Sequence, residues 1–337
     1  MNTQFTPIFS VVIPCYKVAN YIKGCLESVL AQTFNSFEII CVDDGSPDNT
    51  SEIISHYTDD RIRVIHQMNR GLSGARNTGI SVSRGIFIAL LDADDIWLPT
   101  KLEEHFKHLQ SNPNIGISYS ASEFIDEDGK SMGFGQHPKL TDITPKDIFC
   151  RNPIGNGSAA VIRKSLLNSI SRVRQIGKLT RFEYFDENMR QSEDVEFWLR
   201  VALLTKYKFE GIDTALTQYR VNMSGLSANL DKQYASWLYS VQQNKQLDEA
   251  FIKQWFSLAS AYQKRYLARR AIQSRSPKTA LKLIKQAIFA NPKILVEEPK
   301  RTFITLICSV LCALPEQAYK FIESIAIRTH KHAANSH

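Results

Sequence analysis

Ile88-Ala89-Leu90-Leu91-Asp92-Ala93-Asp94-Asp95 carries four apolar residues straight into three carboxylates within four positions. A short apolar run of this kind reads as a strand buried on both faces, as in parallel sheets. The acids then stand at its C-terminal end, the edge at which open α/β sheets bind ligands. Three carboxylates crowded there repel one another unless a cation or a ring of donors neutralises them. A divalent metal holding a diphosphate is the simplest neutraliser, because such ions take hard oxygen ligands and bridge to phosphate oxygens. The competing reading is an acidic turn before a helix, since Trp97-Leu98-Pro99-Thr100 opens a helical pattern.

Working outward, the first 120 residues alternate strand and helix patterns. Phe9-Ser10-Val11-Val12-Ile13-Pro14 is a strand ended by proline. Ile22, Cys25, Leu26, Val29 and Leu30 then recur at helical spacing. Phe37 to Val42 is a second strand, Asp43-Asp44-Gly45-Ser46-Pro47 its turn, and Asp48 to Ser51 crowd the next helix start. Ile62 to His66 is a third strand, and Gly71-Leu72-Ser73-Gly74 leads into a helix bearing Arg76 and Asn77. Gly85 to Leu91 is the fourth strand. This alternation predicts a parallel sheet with right-handed crossovers. No GxGxxG or GxxxxGK[ST] follows the first strand, which disfavours an ordinary dinucleotide site and a P-loop. Between about Ile115 and Arg220 the pattern is mixed, with strands at 117–120, 159–162 and 214–221 and a helix over 192–204. Helical patterns dominate from about Asp231, with breaks at Ser276-Pro277, Asn291-Pro292 and Pro299. Two regions are expected: a catalytic domain over 1–229 and a basic helical region over 230–337.

The chain has 337 residues, 43% of them hydrophobic, enough for a well-cored globular fold. Met1 to Phe9 lack the basic start and long apolar core of a secretory signal. The apolar run Phe303 to Leu314 is 12 residues long, short of the roughly 20 a spanning helix needs. Six cysteines show no CxxC pair and read as reduced, buried small hydrophobes in a cytoplasmic protein. The net charge of +7 is uneven. Residues 1–229 hold 24 Lys and Arg against 27 Asp and Glu, whereas residues 230–337 hold 17 against 7. No nucleic-acid motif accompanies the basic tail, so nucleic acid is not expected and an anionic membrane surface ranks first as its partner.

Six segments in order resemble family 2 glycosyltransferases: Phe9 to Lys17, Leu30 to Phe34, Val42-Asp43-Asp44-Gly45-Ser46, Gly74 to Gly79, Leu91-Asp92-Ala93-Asp94-Asp95 and Ser192-Glu193-Asp194. Members are inverting, nucleotide-sugar-dependent enzymes with the GT-A fold. The resemblance covers residues 8–225 and implies an α/β GT-A domain with a mostly parallel central sheet flanked by helices, followed by a C-terminal helical extension. It assigns Asp44 to a hydrogen bond from the nucleotide base, with Asp43 beside it. An acceptor there suits the ring N–H of uracil or thymine. Pro14 to Tyr16 wall the base pocket, or simply end their strand. Asp92, Ala93 and Asp94 match the family's DxD. Asp94 then ligates Mg²⁺ or Mn²⁺, and Asp92 or Asp95 contacts the ribose or a metal-bound water. Arg76 contributes fixed positive charge beside the nucleotide, or is an arginine paired to an acid. Asp194 is the general base and Glu193 binds acceptor or supports that base. Trp198, four residues on, lines the acceptor pocket or packs in the core. Tyr219-Arg220-Val221-Asn222-Met223-Ser224 resembles a late segment that closes near the diphosphate, but Asn222 stands where many members carry histidine. That departure leaves Arg220 as its one candidate contact. Asn156-Gly157-Ser158 falls where members shape the acceptor pocket, or forms a simple turn before its strand.

The reading is therefore a transferase moving a sugar from a nucleoside diphosphate, UDP by preference, to a hydroxyl of a saccharide or lipid-linked acceptor in surface-polysaccharide assembly. The setting expected is cytoplasmic, peripheral at the inner face of the cell membrane, where the amphipathic Ala280 to Ile288 would place lysines near head groups. A sugar nucleotidyltransferase would want a glycine-rich loop where Cys15 to Asn20 stand. An inactive nucleotide-sugar-binding module would be expected to have lost one of the acids.

Overall fold

The apolar run at Ile88 forms the fourth strand of a nine-stranded sheet whose order is β3-β2-β1-β4-β8-β6-β11-β5, with β7 paired to β6. The structure, a computed structural model, describes residues 6–177, 179–222 and 229–315. Met223 and Ser224 of the late segment, and the chain after Pro315, lie outside the described residues. Strands β1 (Phe9–Cys15), β2 (Phe37–Asp43), β3 (Ile62–His66) and β4 (Phe87–Leu90) are all parallel, with β1 in register between Phe37 and Phe87. They are joined through α1 (Ile22–Leu30), α2 (Thr50–Ser55) and α3 (Gly71–Val82). β1, β2 and β4 are buried along their whole length, which is why they read as continuous apolar runs. Helix α1 buries Ile22, Cys25, Leu26 and Val29, the stripe its spacing gives. Helix α3 lies close on β1 because Gly79 has no side chain: a Cβ there would stand 2.4 Å from Val12 Cγ1.

The chain builds β1, β2 and β3 outward on one side, then returns through α3 to lay β4 on the other side of β1. The strand order therefore reverses between β1 and β4, the place where open α/β sheets leave a crevice at their carboxyl edge. The ladder between the two ends at Val12 and Leu90, with Leu91 N still donating to Val12 O at 3.1 Å. Beyond it β1 continues beside β2, pairing Cys15 with Asp43, while Asp92 to Asp95 lead away to β5 (Ile96–Trp97).

The second half of the sheet is mixed. After α4 (Lys101–Ser111) come β6 (Ile115–Ile125), β7 (Ser131–Gln136), α5 (Pro145–Arg151), a 3₁₀ turn at Gly157–Ala159, β8 (Ala160–Arg163) and α6 (Lys164–Ile170). A separate hairpin of β9 (Arg172–Ile176) and β10 (Leu179–Glu183) precedes α7 (Glu193–Leu204) and β11 (Lys208–Arg220). β8 runs antiparallel to both β4 and β6, β7 antiparallel to β6, and β5 antiparallel to β11; only β6 and β11 pair parallel. The parallel arrangement expected from the first 120 residues thus holds for β1 to β4 and gives way beyond them. An antiparallel neighbour needs no crossover helix, so strands here can pair in either sense.

From Leu230 on the described chain is helical: α8 (Leu230–Lys245), α9 (Glu249–Gln273), α10 (Pro277–Ala290), α11 (Ile294–Glu297) and α12 (Pro299–Leu311). The prolines at 277 and 299 open their helices, where a missing N–H costs nothing. Contacts divide the chain into two compact units. One takes the sheet and its helices together with Ser236–Asp248; the other takes Glu249 onward with the start of α8. In the first unit, Trp237 stacks on Phe149 with centroids 6.2 Å apart, and the Tyr239 hydroxyl donates to Asp186 Oδ2 at 3.1 Å. In the second, α10 buries Ala280, Ile284 and Ala287. None of the six cysteines, all of them described, is in a disulfide, and no described helix is long and apolar enough to cross a membrane.

Candidate active site

Asp43 and Asp44 close β2. Asp43 accepts from Ser46 N at 2.9 Å through Oδ1 and sits 3.0 Å from His66 Nδ1 through Oδ2. Asp44 is buried, and it ties down the approach to α3: Oδ1 accepts from Gln67 Nε2 at 2.6 Å and Arg70 N at 2.8 Å, and Oδ2 accepts from Gly71 N at 2.8 Å. A carboxylate offers about four acceptor positions, so one remains for a ligand donor. Pro14 is buried in β1, and Tyr16 is exposed just beyond it. Lys17 follows in the left-handed region at φ 57°.

The acids after β4 have three different surroundings. Asp95 lies beneath the turn at 1% exposure, accepting from Ser158 Oγ at 2.5 Å and from Arg220 N at 2.8 Å. Burial, then the charges of Asp94 and Asp92, push its carboxyl well above the usual range. Asp94 is partly buried and no side-chain donor reaches its carboxylate among the described residues; Arg220 Nε donates instead to its main-chain oxygen at 2.8 Å. Burial and the neighbouring Asp92 push Asp94 up to about 6, against the pull of Arg220. Asp92 takes a third course, accepting from Arg76 through Oδ1 at 2.6 Å while its N–H donates to Ser158 Oγ at 2.9 Å. Ala93 is buried between them.

Arg76 joins the β4 edge to α7. It is 2% exposed, and its second terminal nitrogen donates to Glu193 Oε1 at 2.7 Å. Burial works against its charge, but Asp92 and Glu193 more than offset that and hold it protonated. The guanidinium lies 5.5 Å from the Phe185 ring, and its Nε is buried without a partner. Gly157 makes room for it: a Cβ there would meet the guanidinium at 2.6 Å and Asp92 Oδ2 at 3.5 Å.

Asp194 follows Glu193 in the first turn of α7. The preceding Ser192 adopts φ 60°, a strained conformation for a non-glycine residue and one that clusters at functional sites. The carboxylate accepts from Val195 N at 2.8 Å. Burial, then Glu193, push it up to about 7; Arg76 pulls it down and Asp92 adds to the rise. Helix α7 is anchored deeper by Glu196 and Arg200, both buried and 2.9 Å apart.

The sequence-expected residues thus gather as one linked set: Asp92, Arg76 and Glu193 through direct bonds, Asp194 next to it, and Asp94 and Asp95 in the same turn. Arg220 stands with them, but its guanidinium is occupied by the Asp94, Asp126 and Glu127 main-chain oxygens and lies 4.8 Å from the Tyr21 ring. Trp198 is fully buried against Phe197, with its indole N–H unpaired. Sequence reasoning passed over Gln67, Arg70 and Asn77. Asn77 Oδ1 accepts from Tyr184 N and Phe185 N at 3.0 and 2.8 Å, and its amide donates to Phe185 O at 2.8 Å. Arg70, the residue before α3, pairs with Glu187, so α3 and its N-cap hold the segment leading to α7 at two points. Asn77 lay within the quoted Gly74 to Gly79 segment and was the one signal available.

Residues 10–171 match the family model described as glycosyl transferase family 2. An uncharacterized glycosyltransferase of Methanocaldococcus jannaschii is 30% identical over 242 residues, covering 70% of this chain and 79% of that relative. The chain belongs to the family 2 glycosyltransferases. Among its longer relatives are three from Rickettsia, of which it spans 33 to 35%. Two solved structures share the fold of this glycosyltransferase. The mannosyltransferase PcManGT from Pyrobaculum calidifontis, in complex with GDP-Man and Mn²⁺, aligns with a TM-score of 0.56 at 17% identity, over 90% of this chain and 86% of that one. S. aureus TarS 1-349, in complex with UDP-GlcNAc, aligns with a TM-score of 0.54 at 17% identity, over 92% and 82%. The domain is accordingly of the GT-A type, with a C-terminal helical extension.

Proposed function

We propose that this glycosyltransferase inverts the anomeric centre as it moves a sugar from a nucleoside diphosphate to a hydroxyl of a saccharide or lipid-linked acceptor, in the assembly of surface polysaccharide. The observation that carries the reading is Asp194: a carboxylate in the first turn of α7, pushed up to about 7 and joined through Glu193 and Arg76 to the acids at the β4 edge. An inverting displacement needs one base opposite the leaving group and no covalent intermediate. The acceptor oxygen forms its bond to the anomeric carbon as the bond from that carbon to the diphosphate oxygen breaks. The hydroxyl proton goes to Asp194, and the electron pair leaves with the nucleoside diphosphate. A base near neutrality takes that proton most effectively at the working pH.

The base pocket is assigned to Tyr16, Asp43 and the remaining acceptor position of Asp44, with Pro14 behind them. A carboxylate acceptor suits the ring N–H of uracil, so UDP is the donor nucleotide of choice, and the UDP-GlcNAc complex of TarS supports it. Asp92 and Ala93 border the donor. Asp95 and Arg220, whose groups are already bound to the protein, position the turn and do not touch the donor. Trp198 supports the acceptor side from the core.

The donor set fits Mg²⁺ or Mn²⁺. Asp94 is a hard oxygen ligand that no described side chain neutralises, and a cation carrying phosphate and water ligands needs few from the protein. Among the described residues no three metal-binding side chains converge, so Asp94 is the protein ligand this reading rests on. Bound there, the ion would offset charge on the departing diphosphate. The Mn²⁺ of the PcManGT complex supports the choice.

A thermal-shift panel of UDP-, GDP-, dTDP- and CMP-sugars, with and without Mn²⁺, tests the reading. A metal-dependent rise with UDP-sugars alone is expected. A rise with another nucleotide overturns the uracil assignment. Pyrophosphate release in a turnover assay points to a nucleotidyltransferase, and tight UDP binding without turnover to an inactive module.

A further inference from the structure

Helix α12 is turned inside out. Thr302, Thr305 and Ser309 form its buried face at 0, 3 and 0% exposure, while Phe303, Ile304, Ile307 and Val310 stand 52, 50, 55 and 56% exposed. A helix packed on a water-soluble core shows the reverse, apolar residues inward and polar ones outward. The buried hydroxyls are satisfied within the helix, and Thr302 Oγ1 also accepts from Arg265 Nη1 at 3.0 Å. Thr302, Thr305 and Ser309 donate to the main-chain oxygens of Glu298, Arg301 and Thr305, four residues back, at 2.8, 2.8 and 2.7 Å. The small face lets α12 pack against α9 and α10, with Leu306 joining the packing, and leaves Phe303, Ile304, Ile307 and Val310 outside.

Within α12, Phe303, Ile307 and Val310 recur at spacings of four and three, one continuous stripe, and Lys300 lies on the same face one turn before Phe303. Lys278, Lys282, Lys285, Lys293 and Arg301 are also exposed between Pro277 and Pro315. The only acids there, Glu297 and Glu298, are already engaged by Tyr262 and by Arg301 and Arg265. The amphipathic α10, which sequence alone favours for a membrane role, spends its apolar side on packing, with Ala268, Ile284 and Ala287 buried in one cluster that Leu306 joins.

We propose that α12 is a membrane-surface helix, lying along an anionic bilayer with Phe303, Ile307 and Val310 in the acyl boundary and Lys300 among the head groups. Its 13 residues extend about 20 Å at 1.5 Å per residue, too short for a hydrocarbon core of about 30 Å, so the helix lies in the plane of the membrane. Charge selects the occupant. A bilayer of anionic lipid complements the exposed cations, whereas a two-fold contact with a second copy would set that basic surface against itself.

Sedimentation of the full chain with vesicles tests this and needs neither donor nor acceptor, so its failure leaves the transfer reading untouched. Binding is expected to phosphatidylglycerol-containing vesicles, weakly or not at all to pure phosphatidylcholine, and to weaken with salt. Phe303→Ser combined with Ile307→Ser should lower the partition by about tenfold or more, and Lys300→Glu by a few-fold. Both sites are exposed, so an unchanged melting curve should accompany the loss. The double variant pelleting like the parent overturns the proposal. So does a concentration-dependent dimer, seen by light scattering and abolished by the same variant without any vesicle binding, which assigns the stripe to a second copy. Vesicle binding that emerges only after removal of residues 316–337 also overturns it for the full chain.

Discussion

Asp194 works as a base only when its carboxyl has lost its proton, and its surroundings set where that happens. Burial and Glu193 raise it to about 7, while Arg76 keeps it from rising further. Transfer should therefore fall as pH drops below about 7 and level off above it, in a kcat profile at saturating donor. Asp194→Asn should retain metal-dependent donor binding in the thermal-shift assay and lose transfer by a factor of about 10² or more, with the pH step gone. Near-normal transfer by that variant would remove the base assignment. The neighbouring test is steric. Gly157→Ala places a methyl group where the Arg76 guanidinium lies, at 2.6 Å. Arg76 cannot yield without stranding Asp92 and Glu193. Overpacking of this kind costs about 1–3 kcal/mol. The expected result is a lower denaturation midpoint together with a depressed kcat; unchanged values of both would show that the guanidinium has room to move.

At the scale of elements, the site is held by two joints between α3 with its N-cap and the segment before α7. Asn77 satisfies the main chain of Tyr184 and Phe185 with three hydrogen bonds, and Arg70 pairs with Glu187. Asn77→Ala leaves those buried main-chain groups unpaired, at about 1–3 kcal/mol. Hydrogen exchange at Tyr184 and Phe185 should accelerate in the variant, and exchange in β1 should not. Equal protection in both proteins would show that the joint is dispensable. Such joints are poorly legible in sequence, because Asn77 and Phe185 are far apart along the chain and either alone is unremarkable. The strands β1, β2 and β4 were legible because burial on both faces makes each a largely apolar run, and the partly buried β3 because it is a short run rich in β-branched residues. The acids were legible because they cluster at strand ends. Asp95 and Arg220 illustrate the limit: sequence sets them beside the other site residues, but only the fold shows their groups already spent on Ser158 and on main-chain oxygens. The β9–β10 hairpin and α5 did carry local signals that the pattern reading passed over. One is alternation around Gly177; the other is the Thr144–Asp147 capping box.

At the scale of the whole molecule, the sheet and α4 enclose a titratable group against β6, β11 and the turn before β8. Lys101 opens α4 with its ammonium fully enclosed, donating to Thr217 Oγ1 at 3.1 Å and Ala159 O at 3.2 Å, 3.3 Å from His105 Nε2 and 5.1 Å from the Trp97 ring. Burial lowers it from its ordinary 10.5 to about 7, although the Asp95 charge acts the other way. Below about pH 7 both native and unfolded chains hold this proton, and the cost of enclosing the charge is felt in full. Between about 7 and 10.5 the unfolded chain binds a proton that the native chain does not, so stability climbs with pH, by at most about 1.4 kcal/mol per unit. The buried thiols of Cys15 and Cys25 act oppositely. Burial and neighbouring groups hold both well above 9.0, so the native chain keeps protons that the unfolded chain loses from about pH 9 upward. Below the thiol range the Lys101 contribution is read between about pH 7 and 9, where the raised carboxyls of Asp95 and Asp194 act against it. Lys101→Met keeps the stem against Trp97 and removes the titrating nitrogen. Its urea-unfolding free energy should lose the Lys101 contribution, so that across that window it rises less with pH than that of the parent chain. Parallel curves for the two proteins would mean that the native lysine keeps its proton, held by Asp95 and the surrounding oxygens.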